Sequence, residues 1–286
     1  MARARQEDPI TVRLSDGTIA RVVRSGFTSG WELDVDGTPQ SHVDLDDPTH
    51  LHFEYVARMG AVIDRLRMPG QPLTAVHLGA GALTLPRYIE ATRPGSRQQV
   101  VELEPALVEL VRAALPLPKG ASIRVRVGDA RAVLERLPPG LVGSVDLLVS
   151  DVYAGSQTPA HVTSVEFHTV AARMLAPDGV LLVNVADGPG LAFARRQVAT
   201  IHAVLEHVAV LAEVQVLKGR RFGNLVIAAS AAPLPTEWLP RLMAAGPHPA
   251  KVAMGAELDA FARGARVITD ADAVPSPRPQ ASIFER

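Results

Sequence analysis

The chain of 286 residues contains no cysteine. This absence excludes disulfides, thiolate nucleophiles, cysteine zinc sites and iron–sulfur clusters. An excess of positive charge is also missing, since 29 basic and 30 acidic side chains give a net charge of −1 at pH 7. A nucleic-acid binder needs a basic footprint. The sequence therefore predicts that no nucleic acid is a partner.

Long apolar runs are absent as well. The most apolar segments, such as 145–149 and 179–185, are far shorter than the roughly 20 residues of a membrane-spanning helix. The N-terminal decapeptide MARARQEDPI has no apolar stretch after its arginines, so it does not resemble a secretory signal. We expect no membrane partner and a cytoplasmic location. A hydrophobic share of 47% with 21% charged residues is typical of a globular chain with one large domain or two unequal ones.

The N-terminal segment 1–48 is interpreted as a small antiparallel β module. Apolar and polar residues alternate over 10–43, which is typical of strands. Three dipeptides favoured in hairpin turns interrupt this pattern, namely Asp16-Gly17, Ser29-Gly30 and Asp36-Gly37. The residues Asp46-Asp47-Pro48 then form a helix start signal. They predict a helix over 49–67 within a linker, 49–72.

Residues 73–274 change to short β-rich runs separated by helical stretches, which predicts a doubly wound sheet of seven strands. The expected strands are 73–78, 98–103, 122–127, 145–150, 179–185, 209–217 and 223–229. The expected helices are 83–92, 105–114, 130–136, 164–175, 190–206, 236–244 and 255–263. The last two strands predict an antiparallel hairpin that closes one edge of the sheet. The proline-rich residues 275–286 are interpreted as a surface tail.

A glycine turn follows the first strand of this sheet, in Gly79-Ala80-Gly81. Glycines there let the backbone approach a ligand closely before a helix begins. Glu102 ends the next strand, where a carboxylate accepts hydrogen bonds from ribose hydroxyls. A dinucleotide fingerprint requires a third glycine, but Thr84 occupies that position. The pattern therefore favours a nucleoside over NAD.

Two further strands deliver polar residues to the same edge. Asp129 and Ala130 follow the third strand, where an adenine amino group can be recognised, and Asp151 and Tyr153 follow the fourth. Ligands of open α/β sheets bind along this edge. The alternative is that Glu102, Asp129 and Asp151 are ordinary caps of the helices that follow them. Because three acidic residues occur in successive turns, we favour a shared nucleoside site.

These motifs resemble the spermidine synthase family, the aminopropyltransferases built on the class I S-adenosylmethionine-dependent methyltransferase fold. The resemblance covers about residues 10–275 and rests on a DG turn followed by Gln40, on Leu78-Gly79-Ala80-Gly81, on Val101-Glu102-Leu103-Glu104, on Gly128-Asp129-Ala130 and on Ser150-Asp151. It implies a Rossmann-like catalytic domain over 73–274 with S-adenosylmethionine, or its decarboxylated form, as co-substrate. It also implies that Gln40 contacts the nucleoside and that the protein is a homodimer.

The chain departs from the family pattern where a diamine would bind. Ala82 and Ala154 stand in place of two aspartates, and Leu51 or His52 replaces a tyrosine ahead of Glu54. Two lost charge-assisted hydrogen bonds of roughly 1.5–3 kcal/mol each weaken binding by on the order of a hundredfold or more. We therefore favour methyl transfer to an unidentified small-molecule acceptor over aminopropyl transfer. Aminopropyl transfer would need carboxylates from elsewhere, such as Glu54, Asp46 or Asp187.

In either transfer reaction Asp151 is the candidate general base or amine-orienting carboxylate. Tyr153 either positions the acceptor or packs on the nucleoside. A direct role and a structural role both stay open for His161 and His168, while His50 and His52, placed on a helix, face apart, so no metal site is proposed. The basic cluster Lys218-Gly219-Arg220-Arg221 is a solvated turn or a site for an anionic acceptor. A third hypothesis is a nucleoside-binding protein without catalysis.

Overall fold

The computed structural model of the protein describes residues 10–26, 28–237, 239–245 and 249–279. Parts of the predicted N-terminal module (1–9) and of the predicted tail (280–286) lie outside these ranges. Within them, no helix is both long enough and apolar enough to cross a bilayer.

The N-terminal module is a four-stranded antiparallel sheet in the order β1-β2-β3-β4. Its strands are β1 (Ile10–Arg13), β2 (Ile19–Arg24), β3 (Trp31–Val35) and β4 (Thr38–Val43). Asp36 and Gly37 join β3 to β4 with φ of 47° and 83°, the positive pair that a tight hairpin requires. One face of this sheet buries Ala20, Val22 and Leu33 in a core cluster, and this burial fixes the module against the main sheet.

The main sheet has eight strands in the order β12-β10-β11-β9-β8-β5-β6-β7. They are β5 (Thr74–Leu78), β6 (Arg97–Glu102), β7 (Ile123–Val127), β8 (Val145–Ser150), β9 (Leu175–Asp187), β10 (His207–Glu213), β11 (Gly223–Ser230) and β12 (Ala250–Ala253). The strands β5 to β9 pair in parallel, whereas β11 pairs antiparallel with both β9 and β10. The predicted doubly wound α/β class is confirmed.

Helices cover both faces of this sheet. They are α1 (Glu54–Ile63), α2 (Thr84–Thr92), α3 (Pro105–Ala114), α4 (Ala130–Leu134), α5 (Val165–Met174), α6 (Ala192–His202), α7 (Val214–Leu217), α8 (Leu239–Ala245) and α9 (Ala256–Ala262). Neighbouring residues of β5 point to opposite faces, so Val76 joins the core of α4, α5 and α6, whereas Ala75 joins that of α1 and α2.

Three local expectations were wrong. The helix predicted from residue 49 begins at Glu54, so His50 and His52 lie in the preceding loop, with ring centroids 6.3 Å apart. The strand predicted over 209–217 ends at Glu213, where the short helix α7 begins. The antiparallel pair β10–β11 does not close the sheet, because β11 lies between β9 and β10 and β12 adds an unpredicted eighth strand outside them.

Candidate functional site

A cavity of about 410 Å³ opens at the carboxyl ends of the parallel strands and is also lined by residues of the N-terminal sheet. The order of the main sheet reverses there, because β6 lies on one side of β5 and β8 on the other. Such a switch point is where open α/β sheets bind ligands. All nine residues that the sequence predicts for the site line this one cavity, namely Gln40, Gly79, Ala80, Gly81, Glu102, Asp129, Ala130, Asp151 and Tyr153.

The glycine turn is held between two strands. The amide of Gly79 donates to the carbonyl of Val101 at 2.9 Å, and the amide of Asp151 donates to the carbonyl of Leu78 at 2.9 Å. Gly79 has φ +88°, and a Cβ atom there would lie 2.2 Å from the carbonyl oxygen of Asp151. Only glycine fits at this position, because both the backbone angle and the space exclude a side chain.

Replacing Gly79 by alanine is expected to destabilise the fold and to weaken nucleoside binding. The matched control is Gly120→Ala, because Gly120 has a similar φ of +85° but open space around its Cβ position. Both variants bear the cost of a positive φ at alanine. The difference between their free energies of unfolding therefore measures the clash at Gly79, which we expect to cost about 1–3 kcal/mol. Denaturant unfolding of both variants measures it, and equal stabilities would contradict the close approach at Gly79.

Glu102 stabilises the same turn from β6. Its Oε2 accepts the amide of Ala80 at 2.9 Å and its Oε1 accepts the amide of Glu104 at 3.1 Å. Both bonds are to neighbouring backbone, and the half-buried side chain still lines the cavity. The carboxylate is therefore held in place at the edge of the sheet rather than free to rotate.

Asp129 caps a helix and lines the cavity at the same time. Its Oδ1 accepts the amide of Ala132 at 2.9 Å, as an N-cap does, and its Oδ2 lies 2.7 Å from Nε2 of His161. Burial alone would raise the pKa of Asp129, but the hydrogen bonds from Ala132 and His161 lower it overall. His161 thus lines the cavity beside Asp129. His168 is buried against Gln197, which gives it a structural position.

Asp151 lies where β8 ends and receives two side-chain hydrogen bonds. Nδ2 of Asn184 donates to its Oδ1 at 2.8 Å, and the hydroxyl of Tyr55 donates to its Oδ2 at 3.3 Å. Burial raises the pKa of the Asp151 carboxyl, and these two hydrogen bonds only partly offset that effect. A carboxylate with a raised pKa in a cleft is a candidate general base. The hydroxyl of Tyr153, close by in sequence, is buried beside Thr158 and the backbone of Ala186.

Tyr55 and Asn184 were not predicted from the sequence. Tyr55 lies within the predicted linker helix, 49–67, and Asn184 lies within the largely apolar predicted strand 179–185. The sequence did carry one signal, since the family pattern has a tyrosine near the linker glutamate. In this chain Tyr55 follows Glu54 instead of preceding it, and it is this tyrosine that reaches Asp151.

Several residues proposed for the acceptor lie elsewhere. None of Glu54, Asp46 and Asp187 lines the cavity as described. The carboxylate of Asp187 instead accepts the amides of Gly188 and Ala194 at 2.7 and 2.8 Å at the start of α6. Ala82 is fully buried in the core cluster beneath the N-terminal sheet, not in the cavity.

The basic cluster of the sequence also lies away from the cavity. The four residues Lys218-Gly219-Arg220-Arg221 are not among those that line it. Arg221 pairs with Glu213 at the surface. An anionic acceptor at this cavity therefore receives no support from the cluster.

The charge of the cavity is one-sided. Five carboxylates line it, from Asp16, Glu102, Glu104, Asp129 and Asp151. Over the described part of the chain, no lysine or arginine lines it. Burial lowers the pKa of one of its two histidines, His77, to about 4. A lining rich in carboxyl groups favours cationic ligands. Among the described residues no group of three or more acidic or histidine side chains has the spacing to hold a metal ion.

The fold and this site first define a class, an α/β protein of the methyltransferase-like fold. The structure of human methyltransferase-like protein 13 in complex with SAH aligns with 64% of this chain and with 84% of its own length, at a TM-score of 0.53 and 20% identity. This likeness concerns the fold alone. The structure of a probable spermidine synthase from Corynebacterium glutamicum aligns with 91% of this chain and with 95% of its own length, with a TM-score of 0.81 and 32% identity. The chain belongs to the spermidine synthase-like family, a family of transferases.

A curated relative agrees with this family. The polyamine aminopropyltransferase of Vibrio vulnificus is 27% identical over 135 residues, which are 47% of the chain and 44% of that protein. The chain thus matches about half the length of such curated relatives. No protein-family model matches the chain. The curated relatives are aminopropyltransferases by name, and the methyl transfer expected from the missing aspartates receives no support from them.

Proposed function

We propose that the protein transfers an aminopropyl group from decarboxylated S-adenosylmethionine to a small-molecule amine. The observation that carries this proposal is the charge of the cavity, with five lining carboxylates and no lysine or arginine in its described lining. The decarboxylated donor carries a sulfonium and an ammonium group, and the acceptor amine is a further cation. A negative cavity attracts all three groups.

The same charge disfavours S-adenosylmethionine, the donor of methyl transfer. That molecule adds a carboxylate, and two like charges about 4 Å apart repel by on the order of 4 kcal/mol at an effective dielectric constant of 20. A methyl-transfer site needs a cation or free backbone amides to receive this group. The amide of Ala80 in the glycine turn is already bonded to Glu102, and the described lining offers no arginine or lysine.

The donor's nucleoside is assigned to the side of the cavity formed by β5, β6 and β7. Gly79 and Gly81 let the nucleoside approach the backbone of the turn closely. Glu102 and Gln40 are assigned to bind the ribose hydroxyls. Asp129 and Ala130 are assigned to bind the adenine. This assignment is supported by the common cavity that these residues line and by the position of carboxylates in other nucleoside sites of open sheets.

The reaction is a displacement at the carbon beside the sulfonium sulfur. The acceptor nitrogen forms a bond to this propyl carbon, the carbon–sulfur bond breaks, and sulfur keeps the electron pair, so a neutral thioether leaves. Before this step the acceptor ammonium gives one proton to the Asp151 carboxylate, which frees the nitrogen lone pair, and the product nitrogen is a secondary ammonium. The protein mainly aligns the two reactants. Asp151 is suited to its role because burial raises its pKa toward the working range.

Calorimetric titration with the two donors tests this function. We expect the decarboxylated donor to bind about tenfold or more tightly than S-adenosylmethionine, which corresponds to 1.4 kcal/mol or more. Equal or tighter binding of S-adenosylmethionine would overturn the aminopropyl assignment. If neither donor bound, the nucleoside site itself would be refuted.

A further inference from the structure

We infer that the acceptor is a primary amine with one ammonium group and an apolar body, not a diamine. This inference rests on the proposed function and specifies the acceptor of the same site. It follows from the distribution of charge within the cavity. Five lining residues form what we call the apolar recess, namely Phe53, Tyr55, Val56, Leu85 and Val149. The recess reaches Asp151 through Tyr55, whose hydroxyl donates to the Asp151 carboxylate.

The recess is part of the hydrophobic core between α1, α2 and the sheet. Val56, Leu85 and Val149 belong to one buried cluster, and Phe53 and Tyr55 pack against it. The rings of Phe53 and Tyr55 are stacked with an interplanar angle of 13° and centroids 6.3 Å apart. A surface of this kind gains by burying hydrocarbon and loses by burying an unpaired charge.

The polar groups near the recess are already occupied. Nε2 of His77 lies 3.0 Å from Oε1 of Gln98, and burial lowers the pKa of His77 to about 4, so its imidazole is neutral near neutral pH. The carbonyl of Pro86 accepts a hydrogen bond from Nε2 of Gln98 at 2.9 Å. Neither group offers a negative charge to a second ammonium.

Asp151 is the single carboxylate on the β8 side of the cavity within the described lining. The other four lie across β5. Glu102 and Glu104 follow β6, Asp129 follows β7, and Asp16 stands in the turn beside Ser15, whose amide donates to Glu104 at 3.0 Å. One ammonium can therefore be neutralised beside the recess, and a second one cannot.

The groups around Asp151 match one ammonium. A primary ammonium has three donors. Asp151 supplies the negative charge, and the hydroxyl of Tyr153, which lines the same cavity, is a polar partner beside it. When Asp151 takes a proton from this group, the free amine attacks the donor carbon in the displacement described above, while the hydrocarbon body stays in the recess.

The decisive comparison uses n-butylamine and 1,4-diaminobutane, which have equal chain length and differ in the second amine. With decarboxylated S-adenosylmethionine as donor, release of the thioether product gives kcat/KM for each. We expect n-butylamine to be about tenfold or more better, and kcat/KM to rise from n-propylamine to n-butylamine by about fourfold, the effect of one buried methylene. A diamine that is equal or better, or no turnover with either amine while the donor binds, overturns the inference.

Phe53→Ser tests the recess itself. Phe53 is the N-cap of α1, with φ −74° and ψ 134° and no capping side chain, so serine suits the position and folding should be kept. We expect a loss of about fivefold or more in kcat/KM for n-butylamine, a smaller loss for 1,4-diaminobutane and unchanged donor affinity. The control is Val142→Ser, an exposed position outside the cavity. Equal losses for both amines would contradict the assignment of the recess.

Failure of the proposed function is distinguishable from failure of this inference. If calorimetry finds no donor binding, the proposed function fails. The amine preference is then measured by direct titration of the free protein with n-butylamine and 1,4-diaminobutane. Tighter binding of n-butylamine supports the recess assignment, and tighter binding of the diamine overturns it.

Discussion

An Asp151→Asn variant is expected to lose activity and to gain thermal stability. If Asp151 takes the proton of the attacking amine, its loss lowers kcat by about 10²- to 10⁴-fold. Asparagine keeps the shape, and its oxygen can still accept from Asn184, while the bond to Tyr55 reverses, so that the new amide donates to the hydroxyl oxygen. Activity therefore falls without a change in the surrounding packing.

The gain in stability follows from the direction of the pKa shift. Burial raises the pKa of Asp151 in the folded protein above its ordinary value of 3.8. A group with a raised folded pKa contributes stability below its unfolded pKa and loses that contribution as the pH rises through the folded pKa. At neutral pH the carboxyl ionises freely in the unfolded chain, whereas burial opposes its ionisation in the fold. This difference lowers the stability of the wild type, and asparagine removes it. Each kcal/mol gained raises Tm by about 2–4 °C in a chain of this size.

Both effects depend on pH in a way that can be measured. The rate of the wild type should rise with pH as Asp151 loses its proton. This rise should be missing from the pH–rate profile of the variant. The difference in Tm should shrink as the pH falls below the raised folded pKa and vanish below the ordinary value of 3.8, where the carboxyl is protonated in both the folded and the unfolded protein. Asp259→Asn, at an exposed position of α9, is the control. A variant with the wild-type rate would show that Asp151 is not the base.

The fold was largely readable from hydrophobic periodicity. The strands β5 to β8 start and end within one residue of their predicted limits, because each is a short β-rich run bounded by turn or helix-start signals. The C-terminal part was harder to predict. The strand β12 has only four residues, Ala250–Ala253, including Lys251, and it is defined by its pairing with β10, a contact between distant residues that no local pattern encodes.

The convergence of the strand-end residues on one cavity was predictable, whereas the side chains that contact Asp151 were not. Residues at the ends of successive parallel strands meet at one edge by topology alone, which brings Glu102, Asp129 and Asp151 together. Tyr55 reaches Asp151 across 96 positions of the chain, and Asp16 enters the cavity from a hairpin of the other sheet. A net charge of −1 also conceals the collection of five carboxylates in one cavity, because compensating arginines lie elsewhere.

A Glu102→Gln variant is expected to weaken donor binding by about 10- to 150-fold. The carboxylate orients the glycine turn through the amides of Ala80 and Glu104, and we place it under the ribose hydroxyls. Glutamine keeps one acceptor oxygen, but its NH₂ group faces an amide that needs an acceptor. Hydrogen bonds to charged groups contribute about 1.5–3 kcal/mol, and each 1.4 kcal/mol is a tenfold change in Kd.

Calorimetry with the decarboxylated donor measures this loss against Glu109→Gln. That control makes the same charge change at an exposed position of α3, outside the cavity. If Glu102 acted only as a structural anchor of the turn, Glu102→Gln would lower Tm and would reduce affinity for the donor and for adenosine alike. If it also contributes to attraction of the cationic donor, the decarboxylated donor should lose more affinity than adenosine, which carries no charge. Equal losses would assign Glu102 to the turn and leave the attraction to the other four carboxylates.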